Sequence, residues 1–176
     1  KYLIYVLLAT VCDVMPLRKL NRLIAVTALK EFNFSENNVF NKIYELNKRK
    51  NKININDLGF LIGPILNSGG RLGKSNYAVE LLSSENIRII NQRSTDLIKL
   101  NNKRKKIETE ILNEINFDML DTNNKEIVIY YNPIMNEGLI GIIASRLKDY
   151  FNRPSVVITN SNNILKGSAR SIDHYN

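Results

Sequence analysis

From residue 84 to residue 115 the chain repeats apolar side chains at helical spacing around a polar middle, and this pattern narrows the architectures open to it. Ile87, Ile90 and Leu97 mark one stripe, and Ile107, Ile111 and Ile115 mark another at intervals of four. Between them Asn101-Asn102-Lys103-Arg104-Lys105-Lys106 is polar on all sides. With Ser84 as its cap, a single helix here is anchored at both ends and wet in the middle, which suits a bridge between two domains. The alternative is one amphipathic core helix broken near Asn101. The bridge reading divides the chain into 1–83, an interdomain helix over 84–122, and a smaller domain over 123–176.

The flanking patterns differ in kind. Residues 1–34 are apolar and compact, with Pro16 expected to end any earlier helix and Leu20, Leu23, Ile24, Thr27 and Ala28 at helical spacing beyond it. Ser35 reads as an N-cap with Glu36 in the first turn. A loop rich in Lys and Asn (Lys48-Arg49-Lys50-Asn51-Lys52) precedes a segment punctuated by Gly59, Gly63, Gly69, Gly70 and Gly73. After the long helix, residues 126–131 are a β-type run, 138–150 are helical, 154–159 form a second strand and 165–172 a third. Strand, helix, strand is the order of an α/β unit, so the expected fold class is α/β.

The chain has 176 residues and a net charge of +8. Surplus cations attract polyanions and make nucleic acid the default partner, with a merely solvated lysine-rich surface as the competing reading. One cysteine, Cys12, permits no internal disulfide, and one histidine, His174, permits no histidine cage, which argues against structural zinc. A reducing, cytoplasmic compartment fits this usage. The apolar run at residues 2–12 falls short of the roughly 20 residues needed to span a bilayer. It reads as buried helix or strand from inside a larger protein, with no membrane partner.

Several residues carry candidate chemistry. Asp13 follows an apolar run and precedes the Pro16 turn, where α/β enzymes hold ligands, so it reads as either a metal ligand or a helix cap. In residues 63–73, small residues would let a phosphate chain approach the backbone, with Asn67 and Arg71 as donors; the segment lacks the spacing of a Walker loop. Asn136, Gly138 and Arg146 lie where a helix opens, and free N–H groups at a helix start bind anions. Gly167, Ser168, Arg170 and Ser171 set an arginine among hydroxyls on a strand. Singly, each cluster is better explained by structure than by function. Together, on a chain this basic, they read as a phosphate-backbone track.

In order, these segments resemble the RecJ branch of the DHH phosphoesterase family. Residues 8–17 with Asn21-Arg22 look like the family's fourth motif, whose Asp is a ligand of the catalytic metal. Residues 63–73 are similar to its Gly-Pro-x-x-Asn-x-x-Gly-Arg-Leu-Gly segment, and residues 100–108 to the helix joining the DHH domain to the DHH-associated domain. Residues 137–147 and 167–171 resemble two motifs of that second domain implicated in gripping single-stranded DNA. The likeness covers nearly the whole chain. It implies the C-terminal part of a DHH-type parallel-sheet domain, a connecting helix and the N-terminal part of a DHH-associated domain.

The implied activity is metal-dependent 5′-to-3′ exonuclease action on single-stranded DNA in repair and recombination, with Mn²⁺ or Mg²⁺ as cofactor. A single-strand-binding protein or a helicase are further partners the resemblance suggests. Asp13 is the implied catalytic metal ligand, and most other ligands are expected before Lys1, because the Asp-x-Asp and Asp-His-His motifs are missing here. Hard cations want several oxygens, so the isolated chain is expected to lack nuclease activity. A second departure is Asn136, where the family pattern has a His; Asn donates a hydrogen bond but neither becomes a cation nor shuttles protons near neutral pH. Two alternatives stand beside this reading: a DHH-type phosphodiesterase of oligonucleotides or cyclic dinucleotides, and a non-catalytic single-strand-binding relative.

Overall fold

Asparagine and proline set most of the helix boundaries in a computed structural model that describes residues 2–121, 126–173 and 175, leaving His174 outside the described residues. The chain divides into two compact units, Lys1–Asn101 and Asn102–Asn176. Every regular element described in the first is helical, and the sheet belongs to the second.

Helix α1 (Leu3–Cys12) stops at Asp13, short of Pro16, and α2 (Lys19–Glu31) begins beyond that proline. Ser35 does not cap a helix. It lies in a 3₁₀ turn (Phe34–Glu36) where its own N–H donates to Asn33 Oδ1, and α3 (Asn38–Leu46) is capped instead by Asn37, whose Oδ1 accepts the Phe40 N–H at 3.0 Å. An amide reaches the N3 N–H as well as a hydroxyl does, and Asn37 stands at the correct offset. Asn54 and Asp57 form a reciprocal capping box that starts α4 (Ile55–Asp57).

From α4 the chain runs without a break through a π-helical turn (Leu58–Ile62) into α5 (Gly63–Arg71). Pro64 offers no N–H to the Phe60 carbonyl one turn back, and the Gly63 N–H reaches past the usual partner to the Leu58 carbonyl. The glycine-rich segment is therefore mostly helix. Its poor propensity is overridden by burial of Leu58, Ile62, Ile65 and Leu66. These pack with Leu7, Phe40, Ile43, Leu81 and Leu97, each buried large side chain contributing about 1.5–3 kcal/mol. A ring cluster of Tyr5, Phe32, Phe34, Phe40 and Tyr44 closes one side of this core.

After α6 (Asn76–Ser83), α7 (Ile87–Glu114) is the long helix the spacing predicts. Ser84 does not cap it directly: its Oγ accepts the Asn86 N–H, and Asn86 Oδ1 accepts the Arg88 N–H at 2.9 Å. The first half of α7 is held by Ser68, whose hydroxyl bonds the Leu97 carbonyl at 3.0 Å. Its middle is drier than the sequence suggests, since Asn101 and Glu108 are both buried.

In the second unit α8 (Phe117–Asp121) is followed by β1 (Val128–Tyr131), α9 (Ile140–Phe151), β2 (Ser155–Ser161) and β3 (Ile164–Arg170). The sheet order is β1-β2-β3. β1 pairs with β2 in parallel, Val128 opposite Ser155, and β2 pairs with β3 antiparallel, Ser155 opposite Arg170. Asn162 and Asn163 both have positive φ (53° and 61°), the conformation a two-residue primed hairpin requires. Leu139, Ile143, Ala144 and Leu147 of the α9 region pack on Val128 and Val157, joined by Ile111 and Ile115. Among the described residues no helix is long and apolar enough to cross a membrane.

Candidate nucleic-acid interface

Two groups of site residues take shape, one in each unit. In the first, Asp13 is the C-cap of α1, and its N–H bonds the Ala9 carbonyl at 2.9 Å. Its side chain is exposed, so desolvation does not force a partner on it. A carboxylate at a helix C-terminus faces the negative end of the macrodipole, which disfavours it unless a cation is near. The next residue, Val14, sits at φ 54°, a left-handed conformation that a β-branched residue rarely adopts. Burial, and then the Asp13 charge, push the neighbouring Cys12 thiol above its ordinary pKa. Among the described residues no group of three or more His, Cys, Asp or Glu side chains could hold a metal ion.

Glycine fixes how α1 meets this helix. A Cβ on Gly63 would lie 2.6 Å from Cys12 Sγ, and one on Gly59 3.3 Å from Val11, so the C-terminal end of α1 packs on the π turn through its two glycines. Gly69 is likewise closed off by the Lys74 carbonyl at 2.6 Å, whereas Gly70 has open space on its Cβ side. Asn67 and Arg71 are one turn apart on α5, Asn67 exposed and Arg71 half-buried with partners of its own. Close backbone approach is thus available at Gly70, beside these two donors, and not along the whole glycine run.

In the second unit, α9 and β3 meet at a small residue. A Cβ on Gly141 would come within 3.0 Å of Arg170 Nη2 and 3.3 Å of Ser168 Oγ. Arg170 is held there by bonds from Nη1 to Ser168 Oγ (3.2 Å) and to the Ala169 carbonyl (2.7 Å). The guanidinium therefore lies over the first turn of α9, at Gly141. Two features favouring an anion coincide: a helix start and a fixed cation. Gly167 is paired with Ile158 in the ladder, and Ser171 Oγ turns away to the carbonyls of Ile172 and Tyr175.

Asn136 acts as a turn former, its Oδ1 accepting the Gly138 N–H at 2.8 Å and its carbonyl accepting the Leu139 N–H. Glu137, next along the chain, is taken up by Lys166 Nζ. The Lys166 bond, with help from Ser161, holds the Glu137 carboxyl below the usual carboxylate range. Arg146 is committed elsewhere. Its Nε donates to Glu108 Oε1 at 2.8 Å, while Arg104 Nη1 donates to Glu108 Oε2 at 2.8 Å. Gly141, Glu108 and Lys166 were missed from sequence. The Arg104–Glu108 spacing of four was a usable signal; the partners across 38 and 29 residues leave none.

No protein-family model matches the chain. It is 34% identical to the single-stranded-DNA-specific exonuclease RecJ of Haemophilus influenzae over 96% of its own length, covering 31% of that protein. It is 30% identical to the RecJ exonuclease of Bacillus subtilis over 96% of its length, covering 22% of that protein. Among solved structures, RecJ of Thermus thermophilus in complex with Mn²⁺ superposes with a TM-score of 0.84 at 24% identity, over 97% of this chain and 25% of that one. The Mg²⁺ complex of the same protein gives 0.82 at 25% identity, covering 97% and 26%. The α/β fold is thus the one seen in RecJ structures. Over almost its whole length the chain is similar to these RecJ exonucleases, and it spans about a third or less of the length of the curated relatives it matches.

Proposed function

We propose that this chain is the strand-gripping part of a RecJ-like, metal-dependent exonuclease that degrades single-stranded DNA from the 5′ end, serving repair and recombination. The observation that carries it is the Arg170–Ser168–Gly141 contact, which holds a cation over the start of α9. Asn67, Gly70 and Arg71 offer donors and an open backbone on the first unit. In this reading Asp13 gives one oxygen to a Mn²⁺ or Mg²⁺ ion of the kind bound in the RecJ structures it resembles. Its position at a helix C-terminus, beside a strained Val14, suits a cation ligand. The remaining ligands would come from RecJ sequence beyond this third of the relatives' length, since the described residues supply no set of three. The domain scheme carries over as part of the proposal: 1–83 and 123–176 as portions of the DHH and DHH-associated domains, joined by 84–122.

Arg170→Ala tests it. Titration of a fluorescent oligodeoxythymidylate over several salt concentrations should give weaker binding and a log–log salt slope reduced by about 0.7, the value for one phosphate on a single strand. An unchanged slope means Arg170 touches no phosphate, and the reading loses its main support.

A further inference from the structure

Phe60 is the most exposed aromatic residue among those described, 83% accessible to solvent. It stands in the π turn between α4 and α5, a distortion that recurs at functional sites. Beyond the turn, helical spacing carries one face from Phe60 through Pro64 and Asn67 to Arg71. The ring therefore begins the same face on which Asn67 and Arg71 offer their donors.

Its surroundings are not those of an apolar docking patch. Phe60 lines a cavity of about 290 Å³ with Arg49, Asn51, Asn54, Asn56 and Asp57. The one acid of that rim is satisfied internally: Asp57 is 6% exposed, and its Oδ2 accepts Asn51 Nδ2 and the Asn54 N–H. The adjoining loop carries Lys48, Lys50 and Lys52 beside Arg49, all of them exposed. An apolar protein segment would find, beside this ring and Leu61, a rim made mostly of amides with the Arg49 cation. A nucleobase presents a flat face to the ring, polar edges to the amides and a phosphate to the cations.

We propose that Phe60 is a stacking platform for one base of a single strand, with Arg49 on the adjoining phosphate, so that the strand path along Asn67 and Arg71 continues onto the π turn. This rests on the reading of the chain as a single-strand binder. The chain contains no tryptophan, so Phe60→Trp installs a lone indole reporter at the site. Adding oligodeoxythymidylate to that variant should quench its fluorescence. In the same assay Phe60→Ala should bind about tenfold more weakly, within the range for loss of one base stack. Its salt slope should match that of the unaltered chain, because a phenyl ring neutralises no phosphate, whereas Arg49→Ala should lower the slope. Circular dichroism should show both Phe60 variants folded, since the ring supports no core. Full binding by Phe60→Ala together with an unquenched indole overturns the platform and leaves the single-strand reading standing. Failure of the unaltered chain to bind overturns both.

Discussion

Glu108 accepts Arg104 on one carboxylate oxygen and Arg146 on the other, and its side chain is only 8% exposed. A buried acid held by two guanidiniums is stable only while both are present, because the uncompensated charges are costly. Arg104 is nearly as buried, at 12%, while Arg146 is 57% exposed and contributes less through solvent screening. Glu108→Ala removes the acid that Arg104 and Arg146 share, at a mostly dry position. It should cost about 2 kcal/mol, below the full value for a wholly buried pair. Urea denaturation reads this directly, and a loss under about 0.5 kcal/mol, the scale of an exposed pair, would show the carboxylate to be dispensable to the fold. The same pairing shows what the sequence could not give for Arg146. Its place on α9 was legible, but its partner comes from a helix 38 residues earlier.

At the scale of the element, glycines of α5 that look alike in sequence behave in opposite ways. Gly63→Ala drives a methyl group to 2.6 Å from Cys12 Sγ and 3.0 Å from the Leu58 carbonyl. Overpacking of this kind costs about 1–3 kcal/mol. Gly70→Ala meets nothing within 4 Å and is free of positive φ, so the better helix former should stabilise by up to about 1 kcal/mol. Thermal melts of the two variants should move in opposite directions, and a fall in both would mean that α5 is not the helix described. From sequence the run 63–73 reads as turn-rich, because propensity is the only local signal a glycine gives. What makes it helical is the burial of Ile62, Ile65 and Leu66, which depends on partners in α1 and α7. The strands and helix of residues 128–170 were legible for the opposite reason. There the β-type runs and the helical stripe agree with the observed elements. Caps fell between these cases: Asn37 and Asn86 took the roles expected of Ser35 and Ser84, because several polar residues at each boundary could serve.

For the whole molecule, charge and metal chemistry separate cleanly. The net charge of +8 belongs to the protein alone, so strand binding should survive removal of divalent ions. If Arg71 and Arg170 each neutralise one phosphate while Arg146 stays with Glu108, the salt slope on a single strand is about −1.4, and adding Arg49 makes it about −2.1. A fourfold rise in salt then weakens binding about sevenfold in the first case and about 18-fold in the second. Hydrolysis should behave differently. Hard divalent cations take six or more oxygens, and the described residues gather no set of three ligands around Asp13. The purified 176-residue chain should therefore bind labelled oligodeoxythymidylate equally well in EDTA and in Mn²⁺, and release no nucleotides in either. Asp13→Asn should not weaken that binding, since a carboxylate awaiting a metal offers a phosphate only repulsion. Release of nucleotides that depends on Mn²⁺ and is abolished by Asp13→Asn would show that the chain assembles a metal centre of its own. The division between grip and chemistry would then be wrong.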